Sequence, residues 1–443
     1  MQLIIRIQNA LPNINAALLY VCYGFLALTL LAGIVRLALL ARATTTLRRQ
    51  VRSLRSVDYR RFQDSEHVMP VSLILPAVDE TGSLAEQLNN LLNLEFKQYE
   101  LIVVANKTHE TTWESLCNGY SLLPFRQPFK RTLHSSPVEA VYRSAKDVRL
   151  IVLDVRNADC AGALNAGVNI SSYPIIAPVY PDLRLTKDAL LKTVYAFVSD
   201  PACVFIGSFA RVGRTPKDEA DARMPMLAQE QYLERIRTFY TNRTGYAAIG
   251  LYLPLSKTFA AFLKSAVTEV GGFSGEARAE AADLLLRIHT RLKKDMRSYS
   301  ARLLPDAVCY QLPQKNMRGV CAQLRAGQRE MRNTIRRNRA ICRTLRGAGY
   351  TRFAERIWPF VELLGILTVL AAGALGAVPL LFAGLYLLIG VLLGAIQSAL
   401  SMLLEEYAFQ RQTDTGVLLG RYILAIWVNL TFRLRAALTR IFC

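Results

Sequence analysis

Val71-Ser-Leu-Ile-Leu-Pro-Ala-Val-Asp-Glu80 decides the fold. Its apolar run reads as a strand buried on both faces, as in a parallel sheet. The strand delivers Asp79 and Glu80 to its carboxyl end. Further along, Glu100–Val104, Leu150–Leu153, Pro174–Val179 and Cys203–Ile206 read as strands of the same kind. Between and after them, Leu84–Leu92, Ala161–Ile170, Asp188–Val198 and Glu280–Leu292 carry helical patterns. This alternation predicts an α/β domain with a mainly parallel sheet. Such sheets bind ligands beyond the carboxyl ends of their strands.

The residues at those ends carry two readings each. Asp79 and Glu80 can accept hydrogen bonds from a nucleotide base or ribose, or can open a helix at the positive end of its dipole. Asn106 can meet a base edge or serve as a turn asparagine. Ala161-Gly-Ala-Leu-Asn-Ala-Gly167, which includes Asn165, opens a helix with small residues. Those residues let a diphosphate approach, or let the helix pack closely on the sheet.

Outside this region the chain is apolar at both ends. No charge falls between Gln8 and Val35, and Ala16–Val35 alone matches the ~20 residues a bilayer span requires. The run is too long for a signal peptide, and no small-residue cleavage site precedes the arginines. Leu363–Leu404 is again uncharged around Pro379, which suits two spans, Phe360–Ala377 and Leu380–Met402. Seven arginines face one acid, Asp58, after the first span. Twelve basic residues face Glu330 and Glu355 between Gln314 and Arg356. These two flanks hold sixteen of the net charge of +20. Their place beside spans puts them in the cytoplasm. Topology and anionic headgroups explain the basic balance, and a nucleic-acid partner is not implied.

Thr415–Phe432 is apolar apart from Arg421, and fits either an interfacial helix or a fourth span. Arginines at 325, 329, 332, 336 and 343, with Met331, Ile335 and Leu345 between them, predict an amphipathic helix on the cytoplasmic membrane surface. Eight scattered cysteines form no C-x-x-C pair and are expected as free thiols. The expected organisation is a transmembrane helix at 1–42, a basic linker at 43–67 and the α/β domain at 68–312. Arg-rich interfacial helices follow at 313–357, two spans at 358–404, and a last helix at 405–443.

Four segments occur in a telling order: Pro76-Ala-Val-Asp-Glu80, Cys160-Ala-Gly-Ala-Leu-Asn-Ala-Gly167, Val270-Gly-Gly-Phe273 and Glu280-Ala-Ala-Asp-Leu-Leu-Leu-Arg-Ile-His289. Together, over roughly residues 68–345, the chain resembles the membrane-embedded family 2 glycosyltransferases. These include the synthases of cellulose, hyaluronan and poly-N-acetylglucosamine. The resemblance implies a GT-A fold that binds a UDP-sugar with Mg2+ or Mn2+. It also implies nucleotide contacts from Asp79, Glu80, Asn106, Asn165 and Asp182.

The departures from that family fall on its chemistry. Tyr180-Pro-Asp182 stands where the family has Asp-x-Asp, leaving Asp182 as the metal carboxylate. Cys160 replaces a basic phosphate contact. Ala281 replaces the general base, with Glu280 and Asp283 as neighbouring carboxylates. The Gln-x-x-Arg-Trp motif falls on Gln323-Leu-Arg-Ala-Gly327, so Ala326 and Gly327 replace its arginine and tryptophan. Gln323 and Arg325 remain toward acceptor and diphosphate. Loss of a general base alone forfeits ~10²–10⁴-fold.

The sequence therefore predicts a catalytically impaired, multi-pass protein of the cytoplasmic (inner) membrane. Its main domain is cytoplasmic, and it acts as a subunit of a polysaccharide synthesis or export assembly. Membrane lipid and a partner subunit, or further copies of itself, are its expected partners. The alternatives are an active divergent transferase using Glu280 or Asp283, and a lipid-binding adaptor using Arg318–Arg356.

Overall fold

A computed structural model of the chain describes residues 2–55, 59–66, 68–77, 84–106, 110–126, 129, 131–156, 158–213, 224–247, 258–275, 280–304, 306, 308–344, 357–409, 416 and 419–427. The chain opens with helices α1 (Gln2–Arg55) and α2 (Tyr59–Gln63), then β1 (Val71–Ala77), α3 (Leu84–Leu92), β2 (Tyr99–Ala105) and α4 (Glu110–Tyr120). Next come β3 (Leu122–Pro124), β4 (Val138–Ser144), β5 (Leu150–Val155), α5 (Cys160–Ile170), β6 (Ile175–Pro178) and β7 (Leu183–Leu185). They are followed by α6 (Ala189–Val198), β8 (Cys203–Gly207), β9 (Ala210–Val212), α7 (Met226–Arg237), a π-helical turn (Thr238–Arg243) and α8 (Thr244–Ala247). The rest comprises β10 (Ala260–Leu263), α9 (Lys264–Glu269), α10 (Glu280–Lys294), β11 (Ser300–Leu303), β12 (Cys309–Gln311), α11 (Met317–Arg337), α12 (Arg339–Thr344), α13 (Trp358–Ala374) and α14 (Leu380–Phe409).

Nine strands form the main sheet in the order β11-β8-β10-β6-β1-β2-β5-β4-β3. The centre, β6-β1-β2-β5, is parallel. On one flank β10 runs antiparallel to β6 and β8 while β11 pairs parallel with β8, and on the other β4 is antiparallel to β5 and β3. Every residue of β1, β2 and β5 is buried. Their side chains alternate between two apolar clusters. Leu73, Leu75, Leu101 and Val103 serve one face, while Ile74, Ile102, Val104 and Leu153 serve the other. That two-sided burial is why these strands read as continuous apolar runs. A second sheet, β7-β12-β9, stands beside the first.

α5 lies against β1 with no room to spare. A Cβ at Gly167 would sit 2.5 Å from Ile74 Cγ2, so only glycine lets the helix approach this closely. Asp159 caps α5 by accepting a hydrogen bond from Gly162 N at 2.8 Å.

Two helices are long and apolar enough to cross a membrane, Asn15–Arg48 within α1 and Leu380–Glu406 within α14. At 27 residues, the second is about 40 Å long against a hydrocarbon core of about 30 Å. α13 is apolar but shorter. The three helices meet around Cys22, Val369, Ala372 and Tyr386. Their outer faces expose Leu31, Ile34, Leu364, Leu367, Leu381 and Leu388.

The Arg-rich segment forms α11, with one face packed on the domain. Met317, Val320 and Leu324 of α11 pack with Phe209, Tyr232 and, from α14, Met402. Glu330 and Thr334 are buried too. The helix thus rests on the junction between the domain and the long apolar helices, with Arg325, Arg329 and Arg336 exposed. Arg421 is also buried, its guanidinium 4.6 Å from the centre of the Tyr232 ring. It therefore docks on α7.

Candidate functional site

The candidate site lies beyond the carboxyl ends of β1, β2 and β6, where parallel sheets bind ligands. Asp79 and Glu80 fall outside the described residues, so the nucleotide contacts expected of them have no described geometry. Asn106 is buried at the end of β2, next to the end of β1 through the pairing of Ala77 with Ala105.

β6 runs out through Val179, whose N–H donates to Ile74 O, into the turn that carries Tyr180 and Asp182. Gln87 on α3 pins this turn. Its Nε2 donates to Leu183 O at 2.7 Å, and its carbonyl receives Arg184. Arg184 also donates to Pro181 O and pairs with Glu86. Tyr180 is buried in the apolar cluster on the α3 face, alongside Leu84 and Leu183. The position that would supply a second carboxylate has become part of the core.

Asp182 keeps one described hydrogen bond, accepting from Gln311 Nε2 at 2.6 Å across from β12. α7 packs against the segment that follows β12. Gln231 binds the main chain of Gln314 in both directions, donating to its carbonyl at 3.1 Å and accepting from its N–H at 3.0 Å. One helical turn further, Arg235 occupies the same face. Burial pulls its guanidinium down to about 10, opposed by the charges of Cys309 and Asp182. Its Nη1 is buried and makes no hydrogen bond.

The Gly-Gly-Phe segment is clamped from two sides. Asn165 on α5 donates to Phe273 O and His134 O, both at 2.9 Å, and accepts from Phe273 N at 2.8 Å. Gly272 has φ +77, and a Cβ there would lie 2.4 Å from Asn165 Oδ1. From the other side, Arg287 donates to Val270 O at 2.9 Å and Gly272 O at 2.6 Å. Asn165 thus holds a loop, and its amide is fully engaged with main chain.

Ala281, where the family's base would stand, is buried in the apolar cluster around Leu284, Leu285 and Phe273. Asp283 is buried as well, and both its oxygens are engaged. Oδ2 accepts from Arg287 Nε at 2.8 Å, and Oδ1 accepts from Asn338 Nδ2 at 2.9 Å. Glu280 begins α10. Gln323, Arg325, Ala326 and Gly327 lie on α11, with Arg325 and Ala326 exposed and open space around the Gly327 Cα.

Among the described residues, no group of three His, Cys, Asp or Glu side chains is placed to hold a metal ion. Hard divalent cations want several oxygen ligands. Among the described residues, Asp182 is the carboxylate at this turn, accepting from Gln311 Nε2, and by itself it does not make a divalent-ion site.

Gln87, Gln311 and Arg235 escaped the sequence reading. Gln87 carries a usable signal, being a polar residue among the buried side chains of its helix. Gln311 ends a three-residue strand and carries none.

No family model matches the chain. It is 21% identical over 254 residues to the poly-beta-1,6-N-acetyl-D-glucosamine synthase of Staphylococcus aureus (strain MSSA476), covering 57% of this chain and 52% of that one. It is 20% identical over 261 residues to the synthase of the same name from Staphylococcus epidermidis, covering 58% and 54%. The chain thus spans about half the length of these relatives. Among solved structures it resembles the mannosyltransferase PcManGT from Pyrobaculum calidifontis, in complex with GDP-Man and Mn2+. That likeness has a TM-score of 0.50 at 15% identity, over 90% of this chain and 99% of that one. The chain has the GT-A fold and is similar to family 2 glycosyltransferases of the polysaccharide-synthase type.

Proposed function

We propose that this chain is a membrane-anchored, catalytically impaired glycosyltransferase homologue. In this reading it binds a nucleotide-sugar and serves in a polysaccharide synthesis or export assembly. The observation that carries the proposal is the burial of Ala281 in the core, two residues before an Asp283 whose two oxygens are already engaged. A general base must reach an acceptor hydroxyl; Ala281 has no accepting atom, and Asp283 is buried and bonded to Arg287 and Asn338. Tyr180 supports the same reading on the donor side, since its side chain belongs to the α3-face core.

Ligand binding survives this loss because the scaffold around the crevice is intact. Asp182, Asn106 and the clamped Gly-Gly-Phe segment remain in place, with Asp79 and Glu80 completing the nucleotide contacts. The domain faces the cytoplasm beside its basic flanks, and α1, α13 and α14 lie in the membrane. Their exposed leucines meet lipid and the helices of a partner subunit or a second copy.

The test is a UDP-release assay on the full chain in detergent with UDP-N-acetylglucosamine, run beside equilibrium binding of UDP. Binding without release above background is expected. Robust release that vanishes in Asp182→Ala would show an active divergent enzyme and end the proposal.

A further inference from the structure

We infer that the cleft between α1, α13 and α14 seats the headgroup of a zwitterionic phospholipid with a primary amine, a phosphatidylethanolamine. This rests on the reading above that these helices lie in the membrane with their basic flanks in the cytoplasm.

The cleft is lined by Thr29, Arg36, Trp358, Glu362, Gly390 and Gln397. α1 and α14 close it tightly on one side, where a Cβ at Gly33 would stand 2.8 Å from Leu393 Cδ1. A Cβ at Gly390 would meet nothing within 4 Å, so the cleft stays open there. Tyr386, Gly390, Leu393 and Gln397 recur at helical spacing on one face of α14. The Tyr386 and Thr29 hydroxyls lie 3.3 Å apart, which extends the polar lining along the bundle interior.

Arg36 and Glu362 set the chemistry. They share one cleft, carry opposite charges and are each half-buried. The Arg36 guanidinium lies 5.8 Å from the centre of the Trp358 ring. A charge that faces hydrocarbon is costly, so the exposed part of each side chain needs polar cover. Arg36 lies six residues, about 9 Å, before Arg42, where the basic flank begins. Trp358 opens α13 at the same end, as aromatic residues do at a membrane interface. These two markers put the cleft at the depth of the cytoplasmic-leaflet headgroups.

A phosphate covers Arg36 and an ammonium covers Glu362. One zwitterionic headgroup supplies both and brings no net charge. A purely anionic headgroup would be repelled by Glu362, and a quaternary amine has no N–H to donate to it. The cleft is small, so it takes the headgroup at its mouth and leaves the acyl chains along the outer leucines.

Native mass spectrometry of the full chain in mild detergent, offered equal phosphatidylethanolamine, phosphatidylcholine and phosphatidylglycerol, tests this. Retention of one phosphatidylethanolamine about tenfold over either competitor is expected, the worth of one charge-assisted hydrogen bond. Glu362→Gln should erase the preference over phosphatidylcholine while a phospholipid stays bound. Arg36→Gln should lower retention of all three lipids, and Arg36→Lys should restore part of it. The competition on the parent chain decides even where a variant fails to fold. Retention indifferent to headgroup, a preference for phosphatidylglycerol, or a lipid-free dimer that Arg36→Gln splits overturns the inference and leaves the membrane reading standing. Release of the chain from membranes by alkaline carbonate overturns both.

Discussion

Arg211 on β9 and Glu405 near the foot of α14 meet in an ion pair of 2.5 Å, with both side chains buried. A strand of the α/β domain and the end of a long apolar helix are thereby joined by charges withdrawn from water. Removing one partner strands the other, which costs ~3–5 kcal/mol, whereas replacing both with apolar residues of similar size is often neutral. Glu405→Leu alone should therefore destabilise the chain strongly, and the Arg211→Met/Glu405→Leu pair should recover most of the loss. Thermal unfolding in detergent, followed by intrinsic fluorescence, checks this. Equal loss in the single and double variants would count against the pair.

Asn165→Ala removes three hydrogen bonds that tie α5 to Phe273 and His134. Buried main-chain groups left without partners cost about 1–3 kcal/mol. Urea unfolding should show a loss of at least that size, and faster amide exchange should appear at Phe273.

Ala281→Asp puts back the residue type that the resemblance assigns to the base, but in an apolar setting among Leu284, Leu285 and Phe273. A buried carboxylate without a partner is raised in pKa or destabilises the fold. The variant should lose about 2 kcal/mol or more and gain no UDP-releasing activity. Gain of turnover without loss of stability would show that the position opens to the crevice.

His289 on α10 is buried beside the Tyr299 hydroxyl, and burial holds its imidazole down to about 4 from its ordinary 6.5. The folded protein keeps it neutral while the unfolded chain protonates it. The unfolded state therefore binds more protons between those values, and stability is complete above about pH 6.5 and falls toward pH 4. The full difference is on the order of 3 kcal/mol. Unfolding curves at pH 7.5 and 5 should show part of this loss. His289→Phe should flatten the dependence.

How far the sequence carries depends on how many neighbours a residue has along the chain. β1, β2 and β5 are apolar at nearly every position because helices cover both faces, so their runs are readable. Likewise, α3 shows its stripe of Leu84, Leu88 and Leu91. Strands β7, β9 and β12 are three residues each and leave no period to detect. β4 has mixed burial along an antiparallel flank and passes for loop. The substituted positions Tyr180 and Ala281 were visible in the motifs. Gln311 joins Asp182 only through three-dimensional closure, with β12 arriving from a distant part of the chain. The turn tied by Gln87 was equally hidden, since its partners lie nearly a hundred residues away.

α7, the π-helical turn and α8 follow one another without interruption from Met226 to Ala247. Arg235 lies near one end. At the other, Gly245 approaches α1 so closely that a Cβ would stand 3.1 Å from that of Leu39. The ten residues between them span about 15 Å. α7 and the apolar helix α1 are therefore held by one continuous helical beam, and its π-turn, an extra residue wound into the helix, is the place where that beam would flex.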